Sequence, residues 1–289
     1  MTKKILIIGG SGFIGRNLSE YLTSINIEYI VYDRILPNYK CNYIIGDINH
    51  YEQLEDSINS CDSVINLAGI LGTTETINTP EYCYKNNISG ALNLYEILKK
   101  NPKNCIQISV GNYWMNNPYS ITKNTAEKIA LFYNKKFSTN IKVVRALNAY
   151  GPYQSAYPVR KLIPNLIMPA LKDKEILIYG SGNQKMDMIY VGDLVKILFY
   201  LLQKKNIKND IIYEAGSGTA PTVNDICNKV IDLTKTKSIV KHIEMRKGET
   251  PESVVLGNTK YIEDVGYDIN SLLSLDNGLT KTIMYYKKV

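Results

Sequence analysis

The sequence, 289 residues long, predicts an α/β fold built on a doubly wound parallel sheet. Short apolar runs alternate along the first half of the chain with longer segments whose apolar residues recur at helical spacing. The first run is continuously apolar, which is typical of strands buried on both faces of a parallel sheet. In such a sheet ligands bind at the carboxyl ends of the strands.

The first strand, KKILIIGG, ends in glycines, and GGSGFIGRNLSEYLTSI continues with helical period. Gly10, Gly12 and Gly15 match GxGxxG, and Gly9, Gly12 and Gly15 match GxxGxxG. Such glycines allow a tight turn, a close approach of the backbone to a pyrophosphate, and close packing of the helix on the strand. The glycine pattern alone is weak evidence for a dinucleotide site, so the sequence around it has to support that interpretation.

The second strand, EYIVYD, ends in Asp33, 18 residues after Gly15. A carboxylate at this point accepts hydrogen bonds from an adenosine ribose. The context therefore predicts dinucleotide binding by a Rossmann-like domain. Asp33 should repel a 2′-phosphate, whereas Arg34 could bind one or could be a solvated loop residue. NAD is favoured, and NADP remains the alternative.

The alternation continues with a strand, CNYIIGDI, a helix, YEQLEDSINSC, and a fourth strand, SVINLAG. Asp47 lies just past the end of the third strand. A helix is predicted at about residues 80 to 100, followed by the strand NCIQISV, whose end carries Ser109. Ser109 should therefore lie on the ligand side of the sheet.

Residues 109–123, SVGNYWMNNPYSITK, contain the spacing Tyr119-x-x-x-Lys123. Four such pairs occur in the chain, where about two are expected by chance, so the spacing decides nothing by itself. Pro118 can begin a helix, which places Tyr119 and Lys123 on one face near its start. A nearby ammonium group lowers the pKa of a phenol, and such a Tyr can exchange a proton while a hydride moves to or from nicotinamide.

In chain order, GGSGFIG, Asp33, GDI, NLAG, the serine-bearing strand and YSITK resemble the extended short-chain dehydrogenase/reductase family, and within it the nucleotide-sugar epimerase/dehydratase branch. The resemblance covers essentially the whole chain. It implies that Tyr119 is the acid/base, that Lys123 lowers its pKa and holds the nicotinamide ribose, and that Ser109 hydrogen-bonds the reacting oxygen. The implied cofactor-binding residues are Gly9, Gly12, Phe13, Ile14, Gly15, Asp33, Arg34, Asp47, Ile48, Leu67, Ala68, Gly69 and Lys123.

The chain departs from the branch at two points. The branch has the pattern S-[ST]-x-x-V-Y-G, and its catalytic hydroxyl belongs to the second residue, where this chain has Val110. Either Ser109 has taken the role, or Asn112 or Tyr113 supplies the hydrogen bond. The gap from Ser109 to Tyr119 is ten residues, where the branch commonly has about twenty or more, so the site should be more open.

The three residues after Ser109 narrow the choice of reaction. The 4,6-dehydratases of the branch carry Thr-Asp-Glu there, whereas Val110-Gly111-Asn112 contains no acid. Dehydration is therefore rejected, and decarboxylation, which in this branch also uses an acid there, is disfavoured.

The second half of the chain is similar to the substrate-binding elements of the branch. VVRALNAYGP implies that Asn148 meets the nucleotide diphosphate. In GSGNQKMDMIYV, Met186 stands where the branch has Arg, which leaves Lys185 as the nearest cation. RKGETPESV matches R-x-G-[DE], and the resemblance implies that Arg246 binds the diphosphate and that Glu249 meets the nucleoside ribose.

We expect two domains: a dinucleotide-binding domain, residues 1–152 with about 184–216, and a smaller mixed α/β domain that binds the nucleotide sugar, about 153–183 and 217–289. The resemblance implies a homodimer packed through the helices at about 80–100 and 119–137, although these apolar faces could simply cover the sheet.

The composition and charge of the chain argue against nucleic-acid-binding, membrane and metal-binding proteins. The net charge is +7, but the lysines are scattered in runs of at most two, which does not predict nucleic-acid binding. The apolar run at the amino terminus is too short for a signal or a membrane span, so a cytoplasmic protein is expected. Five cysteines without CxxC spacing and two histidines give no metal-site pattern and predict reduced thiols.

The expected activity is oxidoreduction at a hexose carbon, commonly carbon 4, of a nucleotide-diphosphate sugar. An epimerase that recycles bound NAD is favoured. The alternative is a ketoreductase that uses NADPH or NADH once on a 4-keto-6-deoxy sugar. A non-catalytic dinucleotide-binding protein is less favoured, because the signature of that class would be loss of the Tyr or the Lys.

Overall fold

The structure is a computed structural model that describes residues 4–289. Lys3, the first residue of the first predicted strand, lies outside the described residues. The strands are β1 Lys4–Ile8, β2 Glu28–Asp33, β3 Tyr43–Ile45, β4 Ser63–Asn66, β5 Asn104–Val110, β6 Asn140–Ala146, β7 Asn148–Tyr150, β8 Ile176–Tyr179, β9 Lys185–Met186, β10 Met188–Tyr190, β11 Ile212–Ala215, β12 Val240–Ile243 and β13 Val254–Val255. The α-helices are α1 Phe13–Ser24, α2 Tyr51–Asn59, α3 Pro80–Tyr84, α4 Gly90–Lys100, α5 Pro118–Phe137, α6 Leu162–Ala170, α7 Val191–Gln203, α8 Val223–Thr234, α9 Lys260–Asp264 and α10 Leu275–Tyr286.

Seven strands form one parallel sheet in the order β11-β6-β5-β4-β1-β2-β3, with β1 between β4 and β2. The predicted α/β class and doubly wound sheet are confirmed. The chain passes to one side of β1 through β2 and to the other through β4, which opens a crevice at the carboxyl ends of these strands.

Apolar side chains fill both faces of this sheet. Helices α2, α4 and α5 pack on one face and α1 and α7 on the other, which is why the strands are apolar at successive positions rather than alternating. A third apolar cluster joins α6, α8 and α10 to β8. The division into two domains stays a prediction, and this cluster lies mainly in the residues assigned to the smaller domain.

The segment predicted as one helix at about 80 to 100 is helical throughout but consists of α3, a π-helical turn at Lys85–Ser89, and α4. Within residues 4–289, no helix combines the length and the apolar character that a membrane span needs. The homodimer stays a prediction; α3 and α5 leave Tyr82, Ile121 and Phe132 exposed.

Candidate active site

A cavity of about 830 Å³ lies at the carboxyl ends of the central strands and extends between the large sheet and the third cluster. Its wall contains twelve of the predicted cofactor residues: Gly9, Gly12, Phe13, Ile14, Gly15, Asp33, Arg34, Ile48, Leu67, Ala68, Gly69 and Lys123. Asp47 does not line the cavity, although Gly46 and Ile48 on either side of it do. Sequence reasoning therefore located one end of this cavity almost completely.

The glycine turn leaves space that side chains would fill. Gly9 has φ +78°, and a Cβ atom there would lie 2.6 Å from the amide nitrogen of Ala68. A Cβ on Gly15 would lie 2.4 Å from the carbonyl oxygen of Gly10, so α1 can pack this closely only without one. Gly12 begins α1 as its N-cap and lines the cavity. The free amide groups of the first helical turn thus face a cavity that fits a pyrophosphate.

Asp33 ends β2 at the edge of the same cavity. Its carboxylate accepts hydrogen bonds from the backbone amides of Ser11 (2.9 Å) and Ile35 (3.0 Å), which fix its orientation. An acidic group held there can accept hydrogen bonds from ribose hydroxyls and repels a 2′-phosphate. The negative charge at this edge of the cavity therefore fits NAD rather than NADP.

Arg34 is engaged within the protein. Its Nη1 donates to the Tyr82 hydroxyl (2.7 Å) and lies 3.8 Å from a carboxylate oxygen of Asp47. Burial raises the pKa of Asp47, but hydrogen bonds from Asn49 and the charges of Arg34 and His50 bring it below its ordinary value. The Arg34 guanidinium therefore already has an ionised partner.

Tyr119 and Lys123 both line the cavity from the first two turns of α5. The helix begins at Pro118, and the side chain of Asn117 caps it by accepting the amide of Ser120 (2.9 Å). Tyr119 is half-buried, whereas Lys123 is only 3% exposed. The predicted pair is brought into the same cavity as the glycine turn.

Ser109 faces the helix that carries this pair. Successive side chains of a strand point to opposite faces, and Cys105 of β5 packs in the cluster that includes Ala126 of α5. Ser109, four residues later, shares that face, whereas Val110 belongs to the opposite one. The Ser109 hydroxyl is buried and has no hydrogen-bond partner among the described residues, so its bonding capacity is unused.

The two alternatives to Ser109 are placed differently. The ring of Tyr113 stacks on the Arg145 guanidinium, and Tyr113 does not line the cavity. Asn112 does line it, and its amide donates to the sulfur of Met115 at 3.4 Å. The geometry favours Ser109, with Asn112 as the remaining alternative.

Burial opposes the lowering of the Tyr119 pKa that Lys123 is expected to produce. Burial, with a smaller contribution from Cys83, raises the pKa of Tyr119 well above its ordinary value. Burial also lowers the pKa of Lys123 to about 8, although Cys83 and Glu127 act in the opposite direction. Desolvation disfavours both the phenolate and the ammonium, and the Tyr-Lys spacing carries no sign of it.

Asn87, in the π-helical turn, supports the wall of the cavity without lining it, and sequence reasoning missed it. Its side chain accepts the amide of Ile70 (2.7 Å) and donates to the carbonyl of Ile70 (3.1 Å) and the hydroxyl of Thr122 (3.0 Å). It thereby joins the chain after β4 to the helix of Lys123. The adjacent asparagines 86 and 87, which are poor helix formers inside an apolar helical segment, were the available signal.

At the far end of the cavity, Asn148, Arg246 and Glu249 all line the wall as predicted. Asn148 donates to the carbonyl of Asp187 (3.0 Å). Arg246 is 13% exposed and pairs with Glu75 (2.8 Å) and Glu249 (3.3 Å). This end of the cavity therefore holds a guanidinium between two carboxylates.

Lys185 does not reach the cavity, so the expectation that it replaces the missing arginine is wrong. It is exposed on β9, whereas its neighbour Met186 lines the wall. The alternation of side chains along a strand explains the difference. The cations that do line this end are Arg160, Lys161 and Arg246. Lys161 belongs to one of the four Tyr-x-x-x-Lys pairs, a spacing that decides nothing by itself, so no local signal marked it.

The fold and the glycine-bordered cavity define a dinucleotide-binding α/β protein. The chain belongs to the NAD-dependent epimerase/dehydratase family, because a family model of that description matches residues 5–216. The resemblance drawn from the sequence is thus confirmed, and NAD is the cofactor of the family. The glycine turn, the start of α1 and Asp33 fit this cofactor.

Individual relatives cover the whole chain. A putative UDP-glucose 4-epimerase of Methanocaldococcus jannaschii is 28% identical, with 98% of each chain aligned. A UDP-N-acetyl-alpha-D-glucosaminuronate decarboxylase of Bacillus cytotoxicus is 25% identical over 100% of this chain and 99% of its own. The crystal structure of UDP-glucose 4-epimerase from Thermotoga maritima with UDP-glucose superimposes with a TM-score of 0.90 at 26% identity, covering 99% of both chains. The chain is thus an enzyme of a family that includes epimerases, dehydratases and decarboxylases of nucleotide sugars.

Proposed function

We propose that this protein is a nucleotide-sugar 4-epimerase with resident NAD. The observation that carries the proposal is one cavity in which Tyr119, Lys123 and Ser109 lie beside the glycine turn, with no carboxylate at positions 110 to 112. Dehydration and, in this family, decarboxylation use an acid at that point. Oxidation and re-reduction of a single carbon do not need one.

The residues of the chain handle the proton and the orientation of the sugar, while bound NAD supplies the exchange of hydride with the sugar carbon. Tyr119 takes the proton of the reacting hydroxyl at its phenolic oxygen and gives it back. Ser109 donates a hydrogen bond to the reacting oxygen, and the ammonium of Lys123 stabilises the phenolate of Tyr119 and binds the nicotinamide ribose.

The far end of the cavity is proposed to hold the nucleotide diphosphate. Arg246 and Asn148 bind its phosphates, and Glu249 meets the nucleoside ribose. The Methanocaldococcus relative and the Thermotoga structure both carry the name UDP-glucose 4-epimerase, which makes UDP-glucose and UDP-galactose the first substrates to test.

The first experiment is to denature the purified protein and identify the released nucleotide by mass spectrometry. Stoichiometric NAD or NADH, together with interconversion of UDP-glucose and UDP-galactose without added cofactor, supports the proposal. An empty protein that binds NADPH more tightly than NADH and reduces a 4-keto-6-deoxy nucleotide sugar would instead identify a ketoreductase.

The pKa of Lys123 predicts an alkaline limit to activity. With a pKa of about 8, Lys123 is charged below this pH and neutral above it, so kcat/KM should fall as the pH rises through about 8. Lys123→Arg stays charged, and its residual activity should lose this alkaline decline. The measurement is kcat/KM from about pH 6 to 10 at constant ionic strength. A wild-type profile that is flat to pH 10 would contradict the role of the charge.

A further inference from the structure

Tyr113 lies in residues 111–117, the connection that joins β5 to α5. Its ring centroid is 3.4 Å from Cζ of Arg145, which places ring and guanidinium in contact. The carbonyl of Tyr113 accepts a hydrogen bond from the Asn124 side chain (3.3 Å). Ser109 precedes this connection and Tyr119 comes after it, so the connection joins the two elements that carry these hydroxyl groups.

Arg145 is held rigidly beneath that ring. Its Nε and Nη2 donate to the two carboxylate oxygens of Glu127, at 2.9 and 2.6 Å, and its Nη1 donates to Glu214 at 2.8 Å. Arg145 is 9% exposed and Glu127 is 1% exposed. Glu127 lies one helical turn after Lys123 on α5. A bidentate pair of this kind fixes the guanidinium plane as well as its position.

The residue that carries this guanidinium pairs with Ser109 in the sheet. Arg145 of β6 is the register partner of Ser109 in β5, and partners in adjacent parallel strands lie about 4.8 Å apart with their side chains on the same face. Arg145 therefore pairs with the strand of Ser109 through its backbone. Its side chain contacts the ring of Tyr113 and Glu127 on the helix of Tyr119.

We propose that Tyr113, Arg145 and Glu127 form a positioning unit that holds the Ser109 and Tyr119 hydroxyls at the separation the reaction needs. The catalytic part of this inference rests on the proposed function. Tyr113 acts through the face of its ring, since the residue does not line the cavity. Its hydroxyl therefore takes no part in the proton transfer.

The test compares three variants with the wild type: Tyr113→Leu, Tyr113→Phe and Trp114→Leu. Leucine removes the ring, whereas phenylalanine removes only the hydroxyl and keeps the contact with Arg145. Trp114 is the next residue of the same turn, is 44% exposed, and serves as the matched control. The readouts are kcat and KM with UDP-galactose, the Kd of NAD, and amide hydrogen exchange of residues 111–117.

Tyr113→Leu is expected to lower kcat about 10- to 100-fold, because small misplacements of reacting groups have effects of this size. KM and the Kd of NAD should change less than about twofold, and residues 111–117 should exchange faster. Tyr113→Phe should retain most of the wild-type kcat, and Trp114→Leu should match the wild type. This split between kcat and KM is not expected from a general loss of stability.

Two results would overturn the inference. If Tyr113→Phe is as impaired as Tyr113→Leu, the role belongs to the hydroxyl and not to the ring. If amide hydrogen exchange of residues 111–117 is unchanged in Tyr113→Leu, the ring does not anchor the connection, whatever the substrate is. If the wild type itself does not act on UDP-galactose, the proposed substrate fails, but the exchange comparison still decides whether Tyr113 holds the connection.

Discussion

Replacing Tyr119 by phenylalanine is expected to lower kcat about 10²- to 10⁴-fold, the usual contribution of a positioned acid/base. The variant removes one oxygen from a half-buried ring at the start of α5 and leaves the glycine turn untouched. NAD should therefore still co-purify and be detected after denaturation. The measurements are the rate of UDP-galactose conversion and the amount of bound nucleotide.

The matched control is Tyr200→Phe. Tyr200 belongs to another Tyr-x-x-x-Lys pair, lies on α7, and donates its hydroxyl to the carbonyl of Val265 (2.9 Å). Loss of that hydrogen bond should cost about 0.5–1.5 kcal/mol of stability and leave kcat unchanged. Full activity of Tyr119→Phe would contradict the catalytic assignment, because no other group has been assigned the proton.

Adding one methyl group to the glycine turn is expected to have different consequences for stability at Gly15 and Gly12. In Gly15→Ala the new Cβ would lie 2.4 Å from the carbonyl oxygen of Gly10, so α1 must move away from the turn. Overpacking of this kind typically costs about 1–3 kcal/mol, which lowers Tm by several degrees in a chain of this size. The displaced helix should also lose NAD.

Gly12→Ala provides the contrast. A Cβ there would meet only the carbonyl oxygen of Gly9, at 3.4 Å, so Tm without cofactor should stay near the wild-type value. The affinity for NAD should still fall, by about tenfold or more, because the backbone approaches the pyrophosphate at this glycine. Thermal unfolding and NAD titration of both variants separate the two effects. A Gly15→Ala protein with wild-type Tm and affinity would refute the packing argument.

The sheet and the cofactor end of the cavity were predictable because their signals are local. Continuous apolar runs mark buried parallel strands, and the glycine turn with Asp33 lies within one strand-helix-strand unit. The position of Ser109 at a strand end was predictable for the same reason. The direction of the Ser109 side chain was in doubt because Val110 occupies the usual hydroxyl position. That direction depends on which face of the sheet α5 covers, which only the structure shows.

The residues at the far end of the cavity were harder to predict from the sequence. Lys185 was chosen as the cation nearest to Met186 in the chain, but adjacent residues of a strand face opposite ways. Lys161 and Glu75 line the same wall as Arg246, which is far from both in the chain, and no spacing rule encodes that proximity. The raised pKa of Tyr119 was missed because burial is a property of the folded cavity rather than of the Tyr-Lys spacing.

The charge of Arg246 is already matched by Glu75 and Glu249 before any anion enters the cavity. A phosphate that binds the terminal nitrogens of this guanidinium competes with a carboxylate, so the free energy gained there is the difference between two ion pairs and not the full value of a new one. The displaced carboxylate then lies beside the phosphate and repels it, unless the carboxylate turns to another hydrogen-bond donor. Binding of the proposed diphosphate at Arg246 would therefore be an exchange, which favours rapid release of product over tight retention of substrate.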